Sequence, residues 1–311
     1  MLKLDFSKYT EEFKEEFFDY IINKRKLRQN LIDLREENTG NDSLVSLIDT
    51  LLEESTLREL IVEDYNSLIR LRWILRKFKS IIYEFIEDFK RIFVKEGYDK
   101  LKNTVKPKKI VSLLSIKTCP YCNINFIYGD RKKNYGVELD HIILKSRYPI
   151  FAVSLANLIP SCGTCNKSKS DREIQGFKSP FKINSFEDFK FTFIPDIELK
   201  ALTGIKLEEI EKNIKEIDFI KEIRANNELF SLKERYQKHK DVVTEIIQKQ
   251  RLINYHKEKM DSNVLGISFP PSEEEYRLIY CNYYPTSEEE FLKKPLSKLI
   301  FDIYKELNNT P

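Results

Sequence analysis

The amino-acid sequence predicts a mainly α-helical protein with a small central α+β module. Apolar residues recur at three- and four-residue spacing in both flanks of the chain, which is the period of an amphipathic helix. Charged residues make up 33% of the 311 residues and glycines number only 8, as expected for helices with charged outer faces. Between about 110 and 190 this pattern gives way to short apolar runs with clustered Asn, Gly, Pro and Cys, which indicates the central module.

The first hundred residues are predicted to be helical. Apolar spacing indicates helices near 13–21 and 44–52, followed by one long helix over about 62–95. The run Lys106-Pro107-Lys108-Lys109 interrupts the pattern and predicts a domain boundary. Residues 1–105 are therefore expected to form a helical N-terminal region.

The remaining chain is predicted to hold a central domain over 106–190 and a helical C-terminal region over 191–311. In the central domain, apolar runs at 126–128 and 137–139 around a Gly- and Asn-containing segment predict a β-hairpin. The helical spacing returns over about 205–260, and Pro270-Pro271 marks its end.

Four of the five cysteines stand in two C-x2-C pairs, Cys119 with Cys122 and Cys162 with Cys165, while Cys281 is expected to be an ordinary side chain. In a reducing compartment, two such pairs are more typical of a metal site than of disulfides. Four thiolates suit a closed tetrahedral site, so we predict a structural Zn2+.

The chain is expected to be cytoplasmic, because its first residues lack the apolar core of a signal peptide. No apolar run of about 20 residues occurs, so no membrane contact is expected. The G-x-x-x-x-G-K-[ST] phosphate loop is also absent, so nucleoside-triphosphate chemistry would need another protein.

Positive charge is concentrated in the centre of the chain. Residues 101–190 hold 16 Lys/Arg and 7 Asp/Glu, whereas the whole chain has a formal net charge of only +3. Because Lys and Arg neutralise phosphates, this distribution indicates a nucleic-acid-binding face around the cysteine pairs.

Within this basic segment the pattern resembles the HNH nuclease superfamily, in its zinc-containing branch. The resemblance covers about 115–175 and rests on Asp140-His141, Asn157, the run from Asn166 to Asp171, and the cysteine pairs. It implies a ββα-metal fold and hydrolysis of phosphodiester bonds.

The resemblance also implies the role of each site residue. His141 would be the general base, Asn157 would orient its ring, and Asp140 and Asn166 would hold the catalytic cation. The last signature position is Asn166 rather than histidine, and an amide oxygen suits a hard cation. Mg2+ is therefore expected, and Mn2+ can substitute.

Four basic residues near the motif are predicted to contact phosphate: Lys145, Arg147, Lys167 and Lys169.

The sequence therefore predicts a DNA endonuclease. Its small HNH core between Lys/Glu-rich helices resembles nuclease effectors of prokaryotic anti-phage defence systems, which implies that a partner such as an ATPase docks on the flanks. Three alternatives stay open: a nuclease that cleaves RNA or tRNA, a catalytically silent zinc-finger-like binding module, and a structural subunit that binds mainly through its flanks.

Overall fold

The computed structural model of the protein describes residues 1–127, 136–172, 177–184, 188–196, 201–210, 217–259, 285 and 287–309. The chain divides into two compact units. Unit A comprises Leu4–Leu114 and Ile127–Glu173, and unit B comprises Met1–Lys3, Ser115–Phe126 and Ile174–Pro311. The domain boundaries predicted after residues 105 and 190 stay predictions.

Unit A begins with helices that pack their apolar faces into its core. Side-chain caps fix several helix starts: Thr10, Asn41 and Asp64 each accept a hydrogen bond from a backbone N–H three residues further along. The helices are α1 Glu11–Asp19, α2 Leu27–Glu37, α3 Asp42–Leu52, α4 Glu54–Ile61, α5 Tyr65–Ile74, α6 Lys79–Glu84, α7 Ile86–Phe89, α8 Asp99–Leu101 and α9 Lys106–Leu113.

The long helix predicted over 62–95 is interrupted. A 3₁₀ turn, Leu75–Phe78, separates α5 from α6, and a π-type helix, Lys90–Tyr98, follows α7. Phe85 divides α6 from α7 with φ −100° and ψ 28°, outside the α-helical range. Apolar spacing of three and four residues is compatible with all three helix types, so the sequence pattern could not locate these interruptions.

The central part of unit A is a two-stranded antiparallel sheet followed by a helix. Strand β1, Glu138–His141, pairs with β2, Leu158–Ser161, and Asp140 lies opposite Ile159. Helix α10, Gly163–Lys169, follows β2 directly and packs against β1. This strand–strand–helix order confirms the predicted small α+β module within a mainly helical protein.

The predicted hairpin between 126–128 and 137–139 differs from this pairing. Among the described residues β1 pairs with β2, with sixteen residues between the two strands, and Phe126 forms an isolated bridge with Thr118. Tyr128 lies outside the described residues. Short apolar runs predict strands but not their partners, since cross-strand packing decides the pairing.

Unit B contains a second antiparallel pair, β3 Phe189–Asp196 and β4 Ala201–Glu209. The helical pattern predicted from about residue 205 is therefore wrong as far as Glu209. The helices of unit B are α11 Ile217–Leu229, α12 Leu232–Tyr236, α13 Lys240–Lys259, α14 Glu288–Phe291 and α15 Ser297–Asn309. No helix in the described part of the chain has the length and apolar character needed to span a membrane.

A close helix–loop contact positions the connection between β1 and β2. This connection contains two buried 3₁₀ turns, Pro149–Val153 and Leu155–Asn157. The π-type helix packs against the first turn, and a Cβ atom added at Gly97 would lie 2.6 Å from Val153 Cγ1. Any side chain at position 97 would therefore force the buried Val153 to shift.

We predict that Gly97→Ala destabilises the protein although alanine favours helices. Overpacking typically costs about 1–3 kcal/mol, more than the roughly 0.5–1 kcal/mol that alanine returns through helix propensity. Gly40→Ala is the matched control, because nothing lies within 4 Å of a Cβ atom there. Urea unfolding of both variants checks this, and equal stability of the two would refute the packing argument.

Candidate active site and metal centres

Three of the four residues predicted to be catalytic, Asp140, His141 and Asn166, line one cavity of unit A, whereas Asn157 is not part of its lining. Its volume is about 280 Å³, and β1, the following loop and α10 supply most of the lining. Asp140 and His141 come from β1, whereas Asn166 comes from α10. Because α10 packs on β1, residues 26 positions apart face the same space.

His141 is buried and held in one orientation. Its Nε2 atom lies 3.0 Å from the carbonyl oxygen of Ala152, and its ring packs edge-on against Tyr98 with 4.3 Å between centroids. A carbonyl oxygen can only accept a hydrogen bond, so Nε2 carries the proton and Nδ1 carries the lone pair. The geometry therefore assigns Nδ1 as the basic atom.

The pKa of His141 is lowered to about 3, first because burial penalises the charged ring and then because Lys145 is cationic. The imidazole is consequently neutral at pH 7, which is the form that can accept a proton.

Tyr98 was not predicted from the sequence. Besides packing on His141, its hydroxyl donates a hydrogen bond of 2.9 Å to the carbonyl oxygen of Leu139. Burial raises the pKa of Tyr98, so the hydroxyl keeps its proton. In the sequence Tyr98 was one of many aromatic residues in a helical pattern, and no motif marked it.

Asn157, expected to orient the His141 ring, acts on the backbone instead. Its Oδ1 accepts from Ile143 N at 2.6 Å, and its Nδ2 donates to the carbonyl oxygens of Ile143 and Phe151 at 3.0 and 2.9 Å. These three bonds tie both ends of the loop together. Phe151 precedes Ala152, so Asn157 influences His141 only through the loop that presents the Ala152 carbonyl.

Lys169, expected to contact phosphate, is only 2% exposed. Its Nζ atom lies 3.0 Å from Asp140 Oδ1 and 2.5 Å from the backbone oxygen of His141. The lysine thus joins the end of α10 to β1 and compensates the buried carboxylate of Asp140. The spacing of the motif placed Lys169 at the site but could not reveal its burial.

Asn166 is paired with Glu138, a second residue that the sequence reasoning missed. Asn166 Nδ2 donates to Glu138 Oε2 at 2.5 Å. A carboxylate only accepts, so the amide nitrogen faces Glu138 and the amide oxygen points away from it. Glu138 lies two residues before Asp140, and alternation along a strand could have indicated that both share one face.

The other predicted phosphate contacts differ in position. Lys145 and Lys167 line the cavity; Lys145 is half-buried, with its Nζ atom 5.0 Å from the Tyr98 ring centroid, and Lys167 is exposed. Arg147 is exposed but is not part of the cavity lining.

The first cysteine pair lies in a tight turn. Asn123 has a φ of 51°, a left-handed conformation that asparagine tolerates better than most residues. This turn lets the N–H of Ile124 donate to Cys122 Sγ at 3.4 Å. The second pair lies at the start of α10, where Cys162 is the N-cap residue.

The four cysteines cluster, as the spacing predicted. All are buried and unoxidised, and their Sγ atoms lie within 4.8 Å of one another. A tetrahedral Zn2+ with bonds of about 2.3 Å needs sulfur atoms roughly 3.8 Å apart, so small shifts would complete the site. The donor set therefore fits a structural zinc ion.

Residues 119–172 match the family model described as HNH endonuclease. This segment is an HNH endonuclease domain. The match covers both cysteine pairs, Asp140, His141, Asn157 and Asn166. The chain matches no curated protein and no solved structure.

The donor set of this cavity in the HNH domain fits a hard divalent cation. Asp140 offers a carboxylate oxygen and Asn166 an outward amide oxygen, and both line the same cavity. Oxygen ligands of this kind are typical of Mg2+ and Mn2+.

We predict that Lys169→Met strongly destabilises the HNH domain. Removing one partner of a buried ion pair leaves an uncompensated charge, here Asp140, and typically costs about 3–5 kcal/mol of the free energy of unfolding. Urea unfolding followed by circular dichroism measures this.

Lys167→Met, two residues earlier on the same helix, is the matched control and should change stability by less than about 0.5 kcal/mol, since this side chain is exposed. The double variant Asp140→Asn/Lys169→Met should cost less than the two single changes combined. Full additivity would show that the two side chains do not depend on each other.

We predict that Cys162→Ser removes about one zinc ion per chain and lowers the Tm, because structural zinc contributes binding energy directly to folding. Elemental analysis and thermal unfolding check this. Cys281→Ser, outside the described residues, is the control and should keep its zinc. A zinc-free preparation of the unsubstituted protein with full stability would contradict the assignment.

Proposed function

We propose that the protein is an Mg2+-dependent endonuclease that hydrolyses phosphodiester bonds of DNA. The observation that carries the proposal is the anchored, neutral His141 in one cavity with Asp140 and Asn166. The HNH domain supports nuclease chemistry, and the shared cavity supports a role in it for each of these three side chains.

Asp140 and Asn166 would hold the cation through their oxygen atoms. A bound divalent cation supplies charge stabilisation at the phosphate and at the leaving oxygen. Glu138 and Lys169 support this role because each fixes one ligand: Glu138 turns the Asn166 amide oxygen outward, and Lys169 holds the Asp140 carboxylate at α10.

His141 would take the proton from the attacking water. Its Nδ1 lone pair accepts this proton while the water oxygen bonds to phosphorus and the bond from phosphorus to the 3′ oxygen breaks.

DNA is proposed as the substrate because the HNH domain lies within the basic segment 101–190, whose Lys and Arg residues can neutralise backbone phosphates. HNH chemistry does not use a 2′-hydroxyl, so RNA and tRNA belong in the same test. The anti-phage role and the docking of an ATPase or other partner on the helical flanks stay predictions by analogy with other nuclease effectors. The retained Asp140, His141 and Asn166 argue against a catalytically silent binding module.

We predict that the protein cleaves DNA with Mg2+ or Mn2+ and that His141→Ala reduces the rate by about 10²–10⁴, the usual contribution of a general base. Plasmid, linear duplex, single-stranded DNA and RNA are incubated with each protein, with and without Mg2+.

His239→Ala is the matched control, since His239 lies in a 3₁₀ turn of unit B, and it should cleave at the unsubstituted rate. The zinc content of His141→Ala should stay unchanged because the ring binds no zinc, and its circular dichroism spectrum should stay that of the folded protein although loss of the buried ring lowers the Tm. Cleavage at the normal rate by His141→Ala would refute the general-base assignment, and no cleavage of any substrate would refute the proposed function.

A further inference from the structure

A second cationic surface lies on the helical part of unit A. Residues 65–83, which span α5, the 3₁₀ turn and most of α6, contain five Lys/Arg and no Asp or Glu. The overall charge of the N-terminal region does not indicate this surface, because the region also contains many acidic residues. The sequence analysis used the apolar residues of the segment only to predict a helix over about 62–95.

The outer face of this segment combines aromatic and basic side chains. Trp73 is 70% exposed and Tyr83 is 78% exposed, which is unusual for large aromatic residues. Ile69, Trp73, Arg76, Ser80 and Tyr83 follow one another at three- and four-residue spacing, and all are exposed. The opposite face is buried through Leu68, Leu71, Leu75 and Ile81.

Several of the cations are available to a ligand. Arg76, Lys77 and Lys79 are exposed, and among the described residues no carboxylate is recorded in an ion pair with them; Lys77 Nζ lies 4.8 Å from the centroid of the Phe78 ring. Arg70, at the edge of the face, is paired with Glu59. We call the set Trp73, Arg76, Lys77, Lys79 and Tyr83 the aromatic–basic face.

The same segment contacts the catalytic part of unit A. The Arg72 guanidinium lies over the Tyr148 ring, 4.6 Å from its centroid, and α5 packs against the 3₁₀ turn that ends at Asn157. Tyr148 and Asn157 both belong to the loop between β1 and β2. A nucleic-acid strand bound on the aromatic–basic face would therefore lie on the helical segment that contains α5, and α5 packs against this loop.

We propose that the aromatic–basic face binds single-stranded nucleic acid, the unpaired part of the substrate next to the cleavage site. This inference rests on the proposed function for the identity of the ligand as substrate. Cations spaced along a helix neutralise successive phosphates, and exposed aromatic rings offer surfaces on which bases stack. Duplex DNA presents its phosphates but hides the faces of its bases, so it would not use Trp73.

Trp73 is the single tryptophan of the chain, so its fluorescence reports on this face alone. The full-length His141→Ala protein is titrated with oligothymidylate and with oligouridylate, each of about 16 nucleotides, and with a duplex of equal length. We expect saturable quenching by a single strand. Quenching by the DNA strand, by the RNA strand or by both supports nucleic-acid binding at the aromatic–basic face and shows which nucleic acid binds there.

Variants test the two kinds of contact separately. Arg76→Ala/Lys79→Ala should weaken single-strand binding about tenfold and reduce the slope of log K against log salt by about 1.4, or roughly 0.7 per lost phosphate contact. Trp73→Ala should weaken binding about 5- to 100-fold, measured by anisotropy of a labelled strand. Lys233→Ala/Lys238→Ala, which removes two exposed lysines of unit B, is the control and should keep both affinity and slope.

The outcomes separate this inference from the proposed nuclease function. If a single strand quenches the fluorescence and the variants of the aromatic–basic face bind it more weakly, but the unsubstituted protein cleaves no substrate, the proposed nuclease function is refuted and single-strand binding by the face is supported. If the protein cleaves nucleic acid but its fluorescence does not change, or both double variants bind equally well, single-strand binding by the face is refuted and the nuclease function is supported. Quenching by the duplex alone overturns the assignment to single strands.

Discussion

The buried ion pair between Lys169 and Asp140 is the interaction on which the catalytic cavity depends. Lys169 is the last residue of α10, and its ammonium group reaches both the Asp140 carboxylate and the backbone oxygen of His141. Taking these charges out of water costs free energy, which their mutual attraction and the added hydrogen bond to His141 offset. The pair therefore fixes the distance between β1 and α10, which carry the two oxygen ligands proposed for the cation, Asp140 and Asn166.

A second constraint acts from the other side of His141. Asn157 binds the backbone at Ile143 and Phe151, and this closes the loop that presents the Ala152 carbonyl to the imidazole. Tyr98 supports the ring edge-on, and Gly97 allows its helix to approach the loop. The orientation of His141 thus depends on a backbone atom, the Ala152 carbonyl oxygen, whose position is set by the connection between β1 and β2.

The sequence predicted those features that depend on residue type and spacing. The two C-x2-C pairs predicted the cysteine cluster, and the apolar period predicted most of the helices. Hydrogen-bond partners were not predictable in the same way. The motif placed Asn157 and Lys169 at the site, but their partners are backbone atoms and a buried carboxylate that only the folded chain brings near.

Other features have a sequence pattern from which they could have been predicted. Phe189, Phe191 and Phe193 alternate with Lys190 and Thr192 in β3, which is the period of a strand, although the region after residue 190 was predicted to be helical. Glu138 and Asp140 show the same period of two on β1. The net charge of a whole region does not indicate the aromatic–basic face, because the positive charge of this 19-residue segment is cancelled by acidic residues on either side of it.

The central claim is that Asp140 and Asn166 hold a divalent cation against a phosphodiester beside His141. Anomalous diffraction from crystals of the His141→Ala protein, grown with Mn2+ and a short DNA oligonucleotide, tests it most directly. The account predicts an Mn2+ peak about 2.2 Å from an Asp140 carboxylate oxygen and from the Asn166 amide oxygen, with a phosphate oxygen as a further ligand. An Mn2+ ion bound to DNA elsewhere on the protein, with neither side chain as a ligand, would contradict it.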